Sequence, residues 1–203
     1  AVLRRHDLTV NLNLSMLAPG PGASQKRFNW RRFTVTASYG YIHGRQNSDG
    51  AFSVPPTGDL NAEWGPLGAD APYRITTSVT STQLRNLNVN LSWTTNSGSP
   101  YTWTTGLDDN QDGIINDRPA GVALRSLRTP GQATANLRVS YTLATAGGGA
   151  PVPAGARRYR VSLNLNASNL TNHTNLGGYS GNERVNFMQP TLVVNPRRVD
   201  MGL

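Results

Sequence analysis

The stretch Asn86-Leu87-Asn88-Val89-Asn90-Leu91-Ser92-Trp93 decides the fold class. Apolar residues occupy every second position: Leu87, Val89, Leu91 and Trp93. Asn86, Asn88, Asn90 and Ser92 alternate with them. Successive side chains of a β-strand point to opposite faces, so this period puts the apolar groups on one side and the polar groups on the other. On a helix the same residues would scatter both sets around the axis.

Working outward, the same period recurs. Leu8, Val10, Leu12 and Leu14 alternate with Asp7, Thr9, Asn11 and Asn13. Phe33, Val35, Ala37, Tyr39 and Tyr41 alternate with Thr34, Thr36, Ser38 and Gly40. Tyr73, Ile75, Thr77 and Val79 follow a weaker version. Leu137, Val139, Tyr141 and Leu143 alternate with Arg138, Ser140 and Thr142; Tyr159, Val161, Leu163 and Leu165 alternate with Arg160, Ser162 and Asn164. Val199, Met201 and Leu203 begin a last segment. The expected strands are therefore about 5–14, 33–42, 73–82, 86–95, 132–143, 158–168 and 197–203. The 21 glycines and 13 prolines fall mainly between them, as turn residues do.

Length and spacing separate two β architectures. The complete segments are near the ~9–11 residues of a tilted membrane strand, against roughly 5–6 in soluble sheets. The connections alternate in length: 83–85 is very short, whereas 43–72, 96–131 and 169–196 are long. Short turns on one side and long loops on the other is the pattern of outer-membrane barrels. The expected fold is an all-β, antiparallel, up-and-down transmembrane β-barrel, with this chain as the last seven strands of a larger one. Such single-chain barrels use an even number of strands, so seven would be a part. Ala1–Leu14 reads as a strand and not as an export signal, so a processed or partial chain is expected.

The aromatic residues fit the same orientation. Tyr41, Tyr73 and Trp93 fall toward the long-loop ends of the apolar face, and Phe33, Tyr141 and Tyr159 toward the other ends. Amphipathic rings settle at the two membrane interfaces, although aromatics also favour strand ends in any sheet.

The net charge is +8, and every basic residue except Lys26 is arginine. The arginines are dispersed in singles and pairs, with no basic helix and no aromatic RNA-binding motif, so nucleic acid is not an expected partner. Pairs at strand ends suit lipid phosphates or lipopolysaccharide, or are simply solvated. No cysteine is present, which excludes thiolate metal sites and disulfides. His6, His43 and His173 stand at unrelated positions, there is no Gly-x-Ser-x-Gly, and no enzymatic activity is expected.

One motif carries site chemistry. Asp108, Asn110, Asp112, Ile114 (through its carbonyl) and Asp117 place oxygens at alternate positions around Gly113, as short calcium loops do. Pro119 stands where an EF-hand has its bidentate glutamate. A solvated Asp/Asn turn is the alternative. Ca2+ is thus the one candidate cofactor, and flanking Trp103 and Arg118 are expected at the ligand-facing surface.

Residues 65–203 resemble the C-terminal part of TonB-dependent outer-membrane receptors that carry a carboxypeptidase-regulatory-like domain, of the acidobacterial type. The resemblance lies in Gly65-Pro-Leu-Gly-Ala-Asp-Ala-Pro-Tyr-Arg74, Ser97-Gly-Ser-Pro-Tyr-Thr-Trp103, the Asp108–Pro119 motif, Asn136-Leu-Arg-Val-Ser-Tyr141, Asn169-Leu-Thr-Asn-His-Thr-Asn175 and Pro196-Arg-Arg-Val-Asp-Met-Gly-Leu203. It implies a barrel of about 22 strands around a plug, uptake of a ligand in the bacterial outer membrane, and energy coupling through TonB. Plug and N-terminal domains are not in this sequence. The family usually ends in an aromatic residue, and this chain ends at Leu203. Two other readings stay open on the residues alone. One is a structural or surface-interaction β-protein assembling with other chains; the other is a soluble, calcium-stabilised β-sandwich binding module.

Overall fold

The structure, a computed structural model, describes residues 2–15, 33–48, 55–56, 58–82, 84, 86–144 and 160–203. Among the described residues there is no helix. The strands are β1 (Leu3–Ser15), β2 (Phe33–Gln46), β3 (Gly65–Pro66), β4 (Ala71–Ser81), β5 (Leu87–Asn96), β6 (Pro100–Tyr101), β7 (Leu127–Arg128), β8 (Gln132–Ala144), β9 (Arg160–Ser168), β10 (Asn175–Gly177), β11 (Leu192–Val194) and β12 (Arg198–Gly202). One antiparallel sheet runs β1-β2-β4-β5-β8-β9-β12, with β3 on β2. Its long strands thus follow chain order, and each alternating segment of the sequence lies in one of them. β6 with β7 and β10 with β11 form two small ladders in the connections.

The register turns the local alternation into one surface. A line along the hydrogen bonds passes through Leu14, Val35, Val79, Leu91, Leu137, Ala167 and Val199. The neighbouring line passes through Asn13, Thr36, Ser78, Ser92 and Asn136. Residues directly opposite each other share a face, so the sheet has one continuous apolar face and one polar face. The first line starts one residue from the lower end of β1 and leaves one residue from the upper end of β9, the upper end being that of the long connections. The strands are therefore staggered, as a tilted wall requires.

No described element covers the apolar face. Leu12 is 51% exposed and Leu91 45%, and only Leu67, Leu124, Ala135 and Ala167 are buried among the apolar residues. On the polar face the side chains bond one another: Asn90 Nδ2 donates to Ser78 Oγ and Thr80 Oγ1, each at 2.8 Å, and Ser140 Oγ donates to Asn164 Oδ1 at 2.9 Å. Toward the upper end the apolar face carries Tyr41 opposite Leu8, with Tyr73 and with Trp93 opposite Thr77 and Ala135. Toward the lower end it carries Phe33 opposite Ser81 and Tyr141 opposite Leu87 and Leu163. Tyr159 lies outside the described residues.

β2 runs four residues past its expected end at 42. The pairing with β4 slips between Gly40 and Ile42, a bulge, while the pairing with β1 continues unbroken to Gln46. Ile42, Gly44 and Gln46 blur the alternation there, although the backbone ladder goes on. At the lower end, Asn86 adopts φ 64° and closes the β4–β5 turn, a left-handed conformation that asparagine tolerates.

β9 pairs with β8 only from Leu137 downward. Above it the 169–175 segment takes over the exposed edge of β8. Leu170 N donates to Ala135 O at 2.7 Å, and Asn169 N to Asn136 Oδ1 at 3.1 Å. The Asn175 amide, 1% exposed, accepts from Ala133 N and donates to Ala133 O, both at 2.9 Å. One side chain thus replaces a missing strand partner. Replacing Asn175 by Ala is expected to destabilise the sheet by about 2–4 kcal/mol, because two buried backbone groups lose their partner. Asn175→Asp keeps the acceptor but buries a carboxylate against Ala133 O and should cost at least as much. Urea unfolding and hydrogen exchange at the Ala133 amide would check this, and an unchanged exchange rate in Asn175→Ala would refute it.

Candidate functional site

The connections at the upper end form a polar layer on top of the sheet. Its most buried residues are Asn47, Glu63, Asp70, Ser97, Asp117, Asn169 and Asn175. A carboxylate in such a place must be satisfied by cations or amides. Asp70 takes both. Its Oδ1 accepts from Gly44 N at 3.1 Å and lies 3.0 Å from His43 Nδ1, and its Oδ2 pairs with Arg128. Arg128 Nη1 also donates to Gly98 O at 2.6 Å. The end of β2, the start of β4 and the 97–131 connection are thereby tied at one point.

Close backbone approach completes the tie. A side chain at Gly65 would lie 1.9 Å from Leu124 O, and one at Gly98 would lie 1.6 Å from Thr129 O. Glycine is needed at both: two connections touch at Gly65, and the 97–131 connection folds back on itself at Gly98.

Glu63 and Arg118 form the second ion pair, with side chains 3% and 5% exposed. Arg118 is therefore beneath the surface at which the sequence placed it. The reason is Glu63, a partner 55 residues away that draws the guanidinium inward. Nε and Nη1 of Arg118 have no hydrogen-bond partner among the described residues. Arg118 lines two clefts. One, of about 320 Å³, also exposes Glu63, Asn47, Thr102, Thr104 and Asn116. The other, of about 500 Å³, is walled by Asp109, Asn110, Asp117 and Pro119–Ala123.

Trp103 joins the 97–131 and 169–197 connections. Its Nε1 donates to Glu183 Oε1 at 2.7 Å, and its ring meets Phe187 at 5.2 Å between centroids. Thr104 N donates to Gly181 O at 2.9 Å, and Tyr101 and Tyr179 lie 6.3 Å apart. Burial, then the neighbouring Tyr179, pushes the Tyr101 phenol above its ordinary pKa.

The 108–117 loop is wound on its own backbone. Asp108 accepts from the amides of Asp112 and Gly113 at 3.0 and 2.9 Å, and Asp112 Oδ1 from Ile114 N at 2.8 Å. Asp117 Oδ2 accepts from Asp109 N and Asn110 N at 2.5 and 3.0 Å. Asn110 Oδ1 accepts from Asp112 N at 2.9 Å, and its Nδ2 donates to Pro56 O at 2.7 Å. Asn110 Nδ2 also donates to Asp112 Oδ2 at 3.1 Å, so these side chains bond backbone amides and one another. Among the described residues no group of three or more His, Cys, Asp or Glu is placed to hold a metal ion.

These bonds have a consequence for the loop. If its order comes from Asp117 and Asp108 gathering backbone N–H groups, protease protection of 108–117 should persist in excess chelator and fall in Asp117→Ala. Protection that vanished with chelator and returned with calcium would assign the ordering to a metal.

No family model matches this chain, and no curated protein or solved structure is significantly similar to it.

Proposed function

We propose that this chain forms seven consecutive wall strands of an outer-membrane β-barrel of the TonB-dependent receptor type, whose long connections meet a ligand for uptake. One observation carries the reading: an antiparallel meander in chain order whose apolar face no element covers among the described residues. Lipid is the solvent that such a face fits, because the backbone hydrogen bonds between its paired strands are made within the sheet. Tyr41, Tyr73 and Trp93 then sit at the outer interface, and Phe33 and Tyr141 at the inner one. The bonded Asn, Ser and Thr of the other face look into a wet lumen or onto a plug.

On this reading the partners are outer-membrane lipid and lipopolysaccharide, further strands and a plug of the same receptor, and TonB through that plug. The polar layer is the ligand-facing surface. Hydrogen-bonding groups held rigid by buried ion pairs suit recognition and not catalysis. Calcium at Asp108, Asn110, Asp112, Asp117 and the Ile114 carbonyl would belong to this surface, the carboxylates keeping lone pairs beyond those the backbone amides use. A sandwich module needs a second layer over the apolar face, and none exists among the described residues.

Leu91 lies mid-strand on the apolar face, and Ser92 beside it on the polar face. In vesicle refolding of the full receptor chain, Leu91→Arg is expected to cost about 2–4 kcal/mol. Ser92→Arg should cost about 1 kcal/mol or less. Equal losses at the two positions would contradict the lipid-facing assignment.

A further inference from the structure

At the upper end of β1 and β2, the apolar face changes character. From the lower end it presents Leu14 opposite Val35, Leu12 opposite Ala37, Val10 opposite Tyr39 and Leu8 opposite Tyr41. The next two pairs on the same face are His6 opposite His43 and Arg4 opposite Arg45. Like charges directly opposite across a ladder destabilise it, so two facing arginines need an anion. On the other face, Arg5 has one: its Nε lies 2.7 Å from Asp7 Oδ1. Among the described residues, neither Arg4 nor Arg45 has a carboxylate at ion-pair distance. Arg45 Nη2 reaches only Trp64 O, at 3.5 Å, and the Arg4 guanidinium lies over the Trp64 ring, 5.4 Å from its centroid. Arg4, His6, His43, Arg45 and Trp64 line one open concavity of about 390 Å³. Asp70 holds His43 Nδ1 from behind and so fixes the ring in this wall.

We infer that this concavity binds the phosphorylated headgroup of an outer-leaflet glycolipid, with the acyl chains lying along the Leu8–Leu14 ladder. The inference rests on the membrane reading above and names a partner and its site. Three features converge. Guanidinium forks bind phosphate oxygens in pairs. Trp64 is of the type that settles at the headgroup level. The apolar ladder beneath extends about 20 Å along the strand, the shape of a lipid standing against a wall with its phosphate uppermost. A phosphate between Arg4 and Arg45 converts their repulsion into a shared attraction, and a free phosphate would satisfy the arginines but not the ladder.

The test uses the full receptor chain refolded into phosphatidylcholine vesicles, to which lipid A bearing two phosphates, dephosphorylated lipid A or inorganic phosphate is added. Lipid retained per protein after detergent extraction is the readout. The wild type is expected to retain phosphorylated lipid A on the order of tenfold more strongly than Arg4→Gln/Arg45→Gln. Dephosphorylated lipid A should not distinguish the two, and Arg5→Gln should behave as wild type. Arg4→Lys/Arg45→Lys keeps the charge without the planar fork and should fall between them. If the chain inserts but retains both lipids equally, the headgroup site is wrong and the membrane reading stands. If millimolar inorganic phosphate displaces the lipid, the site takes a free anion and the lipid assignment is overturned. Failure of the chain to insert at all overturns both.

Discussion

A sheet with an uncovered apolar face is the constraint on which the rest of this structure depends. Leu14, Val35, Val79, Leu91, Leu137, Ala167 and Val199 stand in one row, and their surface must be removed from water by something other than the described chain. An ordinary domain would fold a second layer over it. Here the connections gather at the upper end instead, and beside Leu67 and Leu124 their buried side chains are mostly polar. Strand pairing and the loop layer therefore hold the described residues together, and neither depends on a hydrophobic core of ordinary kind.

The loop layer shows how a polar interior can be held in one arrangement. Two buried carboxylates, Glu63 and Asp70, each draw an arginine from the 97–131 connection, Arg118 and Arg128. Buried ion pairs are weak evidence for stability, because desolvation offsets much of their attraction, yet removing one partner strands the other. Their effect here is positional. Each acid accepts one cation from one place, and Gly65 and Gly98 allow the backbones to meet only in that arrangement. The result is a loop layer anchored at two points, Glu63–Arg118 and Asp70–Arg128.

The strands were legible in the sequence because a period of two is a local signal that needs no knowledge of partners. Where that signal broke, at Ile42, the expected end of β2 was wrong by four residues, since the bulge shifts pairing on one side only. The loop layer was much less legible. Glu63 meets Arg118 and Asp70 meets Arg128 across 55 and 58 residues of chain, and no spacing rule links them. Asn169 and Asn175 were noted only as part of a resemblance. The work of the Asn175 side chain as a substitute for a strand partner shows first in the register, where β9 ends short of β8. The run of Asn and Thr from Asn169 to Asn175 is the hint that the sequence offers, because such a run after a strand signals a turn closed by side chains, and Asn169 takes φ 48° there. For 108–117 the residue types were right for gathering positive partners, and in the structure those partners are amide hydrogens.

Direction adds a last constraint. Seven long strands, each antiparallel to the next, leave β1 and β12 running the same way. Joining these two edges directly would make a parallel seam, and a second copy with its loops on the same side would meet the same difficulty at each junction. Only an odd number of further strands, entered between β12 and β1, gives an antiparallel sheet that closes with all the long connections at one end. Every residue of β1 is exposed, and its outer edge, 13 residues long, has no strand partner among the described residues, an edge that in water invites indiscriminate pairing. The two open edges and the open face thus make the same demand. On the proposed reading, further strands pair with the edges and lipid covers the face, so that a barrel wall in a bilayer would meet both demands at once.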